Sequence, residues 1–175
     1  MTERWAERRE ATPEEFKAMA HPLRLRILRF CLHDSLTNKE IADRLGKDPA
    51  TVLHHVRVLV DKGFLEAETP RSGARGALEK PYRATGKSWS LSVDRFPADQ
   101  QLAQAVVMVE ALRAEMIEAG PERTRQGARL GMQLSDEAAA ELADRLETLV
   151  QEYAARPDDP AGKRYGLFTW FHERP

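Results

Sequence analysis

Two neighbouring histidines, His54 and His55, sit inside "GKDPATVLHHVRVLVDKG", residues 46–63, a short apolar repeat bounded by glycines. Imidazoles ligate metals, shuttle protons and touch partners, so their placement decides the chemistry. On a helix turning 100° per residue, Val52, Val56, Leu59 and Val60 gather on one side and must face a core. His54 lies almost opposite that side, and His55 falls on its flank. Adjacent residues project about 100° apart and cannot chelate one ion from a regular helix, whereas an i, i+4 pair could. The single cysteine, Cys31, has no second thiol to complete a ligand pair. A catalytic histidine needs a pocket and an orienting acid, and an outward helix face offers neither. Two readings remain: a solvated His54 beside a packed His55, or a polar helix face that meets a partner.

The elements around the pair favour the partner. "ATPEEF" opens a helix with a capping box, Thr12 with Glu15, and Pro13 in the first turn. Pro22 ends that helix near His21, and "PLRLRILRFCLH" follows, burying Leu23, Ile27, Phe30 and Cys31. Thr37 and Glu40 form a second capping box in "LTNKEIADRLG", with Ile41 and Leu45 inward and Gly46 as the stop. Asp48 then caps the histidine helix and Pro49 begins it, giving helix, tight turn, helix. A hairpin comes next: "FLEAET" out, "PRSGARGA" as turn, "EKPYRAT" back. Arg71, Arg75, Lys80 and Arg83 crowd it, and Pro81 marks the returning strand as an edge.

A capped helix-turn-helix followed by a cationic hairpin fits double-stranded DNA. The second helix would lie in the major groove while the hairpin flanks it as a wing. The candidate contacts are Lys47, Ala50, Thr51, His54, His55 and Arg57 on the helix side, and Arg71, Arg75, Lys80 and Arg83 on the wing. "HPLRLRILRFC", "LTNKEIADRLGKDPATVLHHVRVLVDKGFLEAE" and "EKPYRAT" together resemble the winged-helix domain of the ArsR-type bacterial transcriptional regulators, over about residues 12–87. That resemblance implies a homodimer on a near-palindromic operator, usually a repressor. It also implies a partly structural role for His55. Leu53 departs from the pattern, since many relatives carry a small polar residue there. The family's paired-cysteine metal motif has no counterpart in residues 37–45, and the long helix that follows holds no histidine. A cysteine-based metal sensor is therefore not expected.

Totals set the bounds. Of 175 residues, 42% are hydrophobic and 31% charged, ordinary for a packed, well-solvated protein. The first twenty residues are densely charged and lack a secretory apolar stretch. The longest purely apolar run, "AVVMV", is far too short to span a bilayer. With one cysteine and no internal disulfide, a cytoplasmic location without membrane attachment is expected. The net charge of −1 hides an asymmetry: residues 1–90 hold 17 Lys and Arg against 13 Asp and Glu, and residues 91–175 hold 10 against 15. The basic half is the one suited to an anionic polymer.

Beyond residue 87 the pattern changes to alternating strands and helices. "SWSLSV", "ARLGMQL" and "RYGLFTWFH" read as strands, separated by helices over 98–119 and 136–154. The expected fold class is mainly α with small β: a winged helix-turn-helix domain over 1–87, then a small β-α-β-α-β region over 88–175 for dimerisation and effector binding. Leu102, Val109, Leu112 and Met116 form a straight stripe with Ala105, either an internal core or a dimer interface. Trp89, Met132, Phe168 and Trp170 are either plain core or the pocket of a small-molecule effector. No nucleophile elbow, phosphate loop or Cys/His ligand set appears, so neither an enzyme nor a cofactor is expected. The alternative to a DNA-binding regulator is a winged-helix module for protein contacts.

Overall fold

The computed structural model describes residues 8–72, 76, 78–123, 127, 130–157, 159 and 161–173. The chain packs as two units, Arg8–Glu118 and residues 119–175, so the first extends past the expected boundary at 87/88.

In the first unit the expected helices form where their caps place them. Strand β1 (Arg9–Glu10) leads to α1 (Pro13–Met19), where Thr12 accepts from the Glu15 amide and the Glu15 carboxylate accepts from the Thr12 amide. Helix α2 (Pro22–Phe30) is capped by His21, whose Nδ1 accepts from the Leu23 amide at 3.1 Å. After β2 (Leu36–Thr37), α3 (Asn38–Leu45) carries the second capping box, and α4 (Pro49–Asp61) starts at Asp48. The turn between α3 and α4 closes through two bonds, Lys47 N–H to the Ala42 carbonyl and Gly46 N–H to the Asp43 carbonyl. This pattern needs a left-handed residue, and Gly46 at φ 60° supplies it.

The wing follows as β3 (Leu65–Ala67), β4 (Arg71–Ser72), β5 (Leu78–Glu79) and β6 (Pro81–Ala84). Strands β3 and β6 run antiparallel with Leu65 opposite Ala84, and β4 pairs with β5 nearer the tip. Contrary to the edge expected from Pro81, β6 is the central strand, between β2 and β3. Proline is tolerated there because it is the strand's first residue, where a missing N–H costs least.

The core lies beneath the helix-turn-helix. Ile27, Ile41, Val52, Val56 and Leu59 are fully buried, with Phe64 and Leu65 nearly so. Each such side chain contributes roughly 1.5–3 kcal/mol through burial. The three α4 residues among them are spaced 4 and 3 apart, so one helical stripe seats the whole element.

Past the wing the expected strand at 88–93 is mostly replaced. A 3-10 turn occupies Lys87–Trp89, and only β7 (Leu91–Ser92) is extended. It pairs in parallel with β1 rather than with later strands. Helix α5 (Ala98–Ala119) then buries Gln104, Ala105 and Ala111. The larger Leu102, Val106, Val109 and Met116 are exposed. Phe16 and Phe96 stack at 4.2 Å, and Arg26 pairs with Glu118 at 2.7 Å, fixing α5 on the unit at both ends.

The second unit contains a 3-10 turn at Pro121–Arg123 and α6 (Asp136–Ala154), capped by Ser135 as expected. The other two expected strands are not present among the described residues. Residues 130–134 and 164–172 carry no strand, and residues 128 and 129 lie outside the description. The fold is thus a winged helix-turn-helix, mostly helical with small sheets, and the described residues form no β-α-β-α-β continuation.

Replacing Phe64 by Ala opens a cavity under the wing and should cost about 3–5 kcal/mol in chemical denaturation. A loss below about 1 kcal/mol would mean that this ring is not part of the core.

Candidate nucleic-acid interface

Helix α4 is amphipathic in the way its sequence requires. Ala50, Thr51, His54, Arg57 and Asp61 are exposed, Val52, His55, Val56 and Leu59 are buried, and Leu53 is half-buried. Lys47, in the turn just before it, is exposed. Both ends of the helix are held. At its start, the Asp48 carboxylate accepts from the Ala50 and Thr51 amides, and Asn38 Nδ2 donates to the Pro49 carbonyl at 2.9 Å. At its end, Phe64 N–H reaches the Leu59 carbonyl and Gly63 N–H the Val60 carbonyl. Lys87 Nζ donates to the Lys62 carbonyl at 2.5 Å and sits 5.1 Å from the centre of the Phe64 ring.

Lys87 also pairs with Glu15 at 2.7 Å, and Arg9 grips the same carboxylate through both guanidinium nitrogens. The Arg9 hydrogen bonds, with Lys87 and the Thr12 amide, hold Glu15 far below the usual carboxylate range despite its burial. One acid thus ties the N-terminal strand, α1 and the exit of α4 together.

His55 is the correction on this helix. Expected among the DNA contacts, it is only 9% exposed, on the inner flank. Its ring lies 4.5 Å from that of His21 and 5.5 Å from that of His54. Its Nδ1 is buried without a hydrogen-bond partner among the described residues. Burial first, then the charges of His21, Arg24 and His54, push its pKa down to about 4. The ring faces inward, where it packs as a seat for the helix, rather than onto the exposed side of α4.

On the wing, Lys80 is exposed, whereas Arg71 and Arg83 are engaged within the fold. Arg71 donates to Glu40, the capping carboxylate of α3, at 2.9 Å and lies 3.9 Å from Glu79. Arg83 pairs with Glu68, which also accepts from the Ser35 hydroxyl. These partly exposed pairs are weak in water, so a phosphate could compete for both arginines. Arg75 lies outside the described residues.

The expected stripe on α5 is turned outward at Leu102, Val109 and Met116, with Leu112 half-buried. Of the four aromatic-pocket residues, Trp89 belongs to the first unit and Met132, Phe168 and Trp170 to the second. Phe168 and Trp170 stack with ring centres 6.3 Å apart, and Met132 and Trp170 are exposed. The sequence reading missed His21, Asn38 and Lys87 as supports of α4. Only His21 left a local signal, its position just before Pro22.

Residues 19–68 match the family described as a helix-turn-helix domain. The chain is 28% identical over 106 residues to a probable mercury resistance operon repressor of Streptomyces lividans, covering 61% of this chain and 70% of that one. Among solved structures it is similar to the transcriptional regulator SlyA, with a TM-score of 0.31, 18% identity, and 76% of this chain and 74% of that chain covered. It is also similar to a MepR mutant from a multidrug-resistant S. aureus clinical isolate, with a TM-score of 0.29, 15% identity, and 78% of each chain covered.

The buried imidazole has a pH signature. Unfolded, His55 takes a proton near its ordinary pKa of about 6.5, while the folded chain resists until about 4. Between these values the unfolded state binds more protons, so stability is greatest near neutrality and falls as pH drops through that window. His21, also lowered by burial and Arg24, adds to the same slope. Denaturation midpoints of His55→Gln should vary less between pH 7 and pH 4.5 than those of the parent. Parallel pH profiles would refute the buried assignment.

Proposed function

We propose that this chain is a DNA-binding transcriptional regulator, a homodimeric repressor of the ArsR-like winged-helix kind, and not an enzyme. One observation carries the reading. The polar face of α4, with Lys47, Ala50, Thr51, His54 and Arg57, is left uncovered while the opposite face forms the core. That is the arrangement a helix needs to enter a major groove without disturbing its own fold. Lys80 and the weakly paired Arg71 and Arg83 give the wing its phosphate contacts. The helix-turn-helix match and the repressor among the similar proteins support the same assignment.

Dimerisation through α5 rests on its exposed stripe. Leu102, Val106, Val109 and Met116 are 64%, 54%, 45% and 55% exposed, although they are among the helix's largest apolar residues. A second copy would cover them and place two α4 helices on half-sites about 34–36 Å apart.

The mercury resistance in the name of the Streptomyces repressor is not carried over to this chain. Soft metals take thiolates, whereas Cys31 is fully buried and burial pushes its pKa up to about 12. Among the described residues no group of three His, Cys, Asp or Glu side chains is arranged to hold an ion. No helix among them is long and apolar enough to cross a membrane. We infer a cytoplasmic protein from its proposed target.

Anisotropy titrations with duplex DNA test the reading. Arg57→Ala should weaken binding to the preferred sequence by about 1–3 kcal/mol. Lys47→Ala should weaken all duplexes alike and reduce the salt slope by about one phosphate's share, roughly 0.9. Unchanged binding in both variants, or binding insensitive to salt, would favour the protein-contact alternative. Val109→Asp should convert the dimer to a monomer in light scattering, and an unaltered mass would remove α5 from the interface.

A further inference from the structure

Helix α2 is capped by an imidazole. His21 Nδ1 accepts from the Leu23 amide at 3.1 Å. A neutral ring in that role carries its hydrogen on Nε2, so an added proton goes to Nδ1. There it turns the acceptor into a donor that faces another donor, and the cap is lost. Helices α1 and α3 are capped by the Thr12 and Thr37 hydroxyls, which do not titrate.

The surroundings of the ring all oppose a positive charge. His21 is half-buried, and its ring lies 4.5 Å from that of His55. The buried Nδ1 of His55 has no hydrogen-bond partner among the described residues. Arg24, in the first turn of α2, is held by the Lys17 carbonyl of α1 at 2.8 Å, and its Nε is buried and unpartnered in the same sense. His54 stands beside His55 at 5.5 Å. From α5 the neutral Gln104 reaches this corner, donating to the Met19 carbonyl at 3.4 Å. The groups acting on the two rings from outside are thus Arg24 and His54, both basic. The positive end of the α2 dipole adds the same sign.

We propose that His21 is a proton-operated latch on α4. Neutral, it caps α2 and packs against His55. Protonated, it leaves the Leu23 amide, turns to solvent and uncovers the His55 flank of the candidate reading helix. The exposed face of α4 is held in place at neutral pH and loosened in mild acid. The latch belongs to the fold and is independent of DNA; its use in regulation rests on the DNA-binding reading.

Hydrogen exchange of the full chain without DNA tests the latch, with rates corrected for the intrinsic effect of pH and proton uptake at each imidazole followed by NMR. Between pH 7.5 and 5.0 the amides of the first turn of α2 and of α4 should lose about fivefold in protection, the scale of a lost N-cap. The midpoint should coincide with proton uptake by His21, while His55 is still largely neutral, in keeping with its pKa of about 4. His21→Asn supplies a good capping acceptor that does not titrate, and it should keep its neutral protection throughout. With duplex DNA, the affinity of the parent relative to His21→Asn should fall about fivefold over the same range, a ratio in which pH effects common to both cancel. The proposal falls if protection in the parent stays level, if its loss follows proton uptake by His55 instead of His21, or if His21→Asn loses as much. A level affinity ratio would overturn the regulatory use. A chain that binds no DNA at any pH would sink the DNA-binding reading and leave the exchange result standing.

Discussion

Everything depends on the stripe Val52, Val56 and Leu59, which sinks one side of α4 into the core of the first unit. A helix of 13 residues is marginal by itself in water. Tertiary burial supplies its stability, and the same burial decides which residues point out. Because the stripe is apolar and continuous, the opposite face is free to be polar. Function is thus a by-product of the packing constraint: rotating the helix would bury Thr51 and Arg57 at prohibitive cost.

The ends of α4 are governed by a different set of forces. Asp48, Asn38 and the turn at Gly46 fix where it begins, and Lys87 fixes where it stops. Lys87 holds the Lys62 carbonyl while partly buried, and a partly buried ammonium gains from a counter-charge. Glu15 provides it while completing a capping box, and Arg9 binds the same carboxylate from the other side. One carboxylate therefore joins the start of the unit to the exit of its candidate reading helix. Below the neutral range the histidines work against this order, because burial disfavours a proton on His55 until about pH 4.

How much of this was legible in the sequence follows from the range of the interactions. The capping boxes at Thr12 and Thr37, the stop at Gly46 and the start at Asp48 are encoded within four residues, and each formed as read. The outward positions of Thr51, His54 and Arg57 follow from a helical wheel. His55 lay on the flank, and its burial was decided by His21, 34 positions earlier. The second half misled for the same reason. Alternation at Leu130, Met132 and Leu134, or at Tyr165, Leu167 and Phe171, states a preference for a two-sided strand but does not name its partner. Leu91 did find a partner, Arg9, at the far end of the unit. On α5 the stripe is divided: Ala105 is buried while Leu102, Val109 and Met116 are exposed, and Gln104 and Ala111, off the stripe, pack as well.

The most direct test of the α4 assignment returns to the adjacent histidines. Carbethoxylation of the chain near pH 7, read by mass spectrometry, should modify His54, His33 and His172, which are exposed, and spare His55. Bound to duplex DNA at low salt, His54 should become protected while His33 and His172 continue to react. Reaction at His55 in the free chain, or a His54 that reacts equally with and without DNA, would contradict the account.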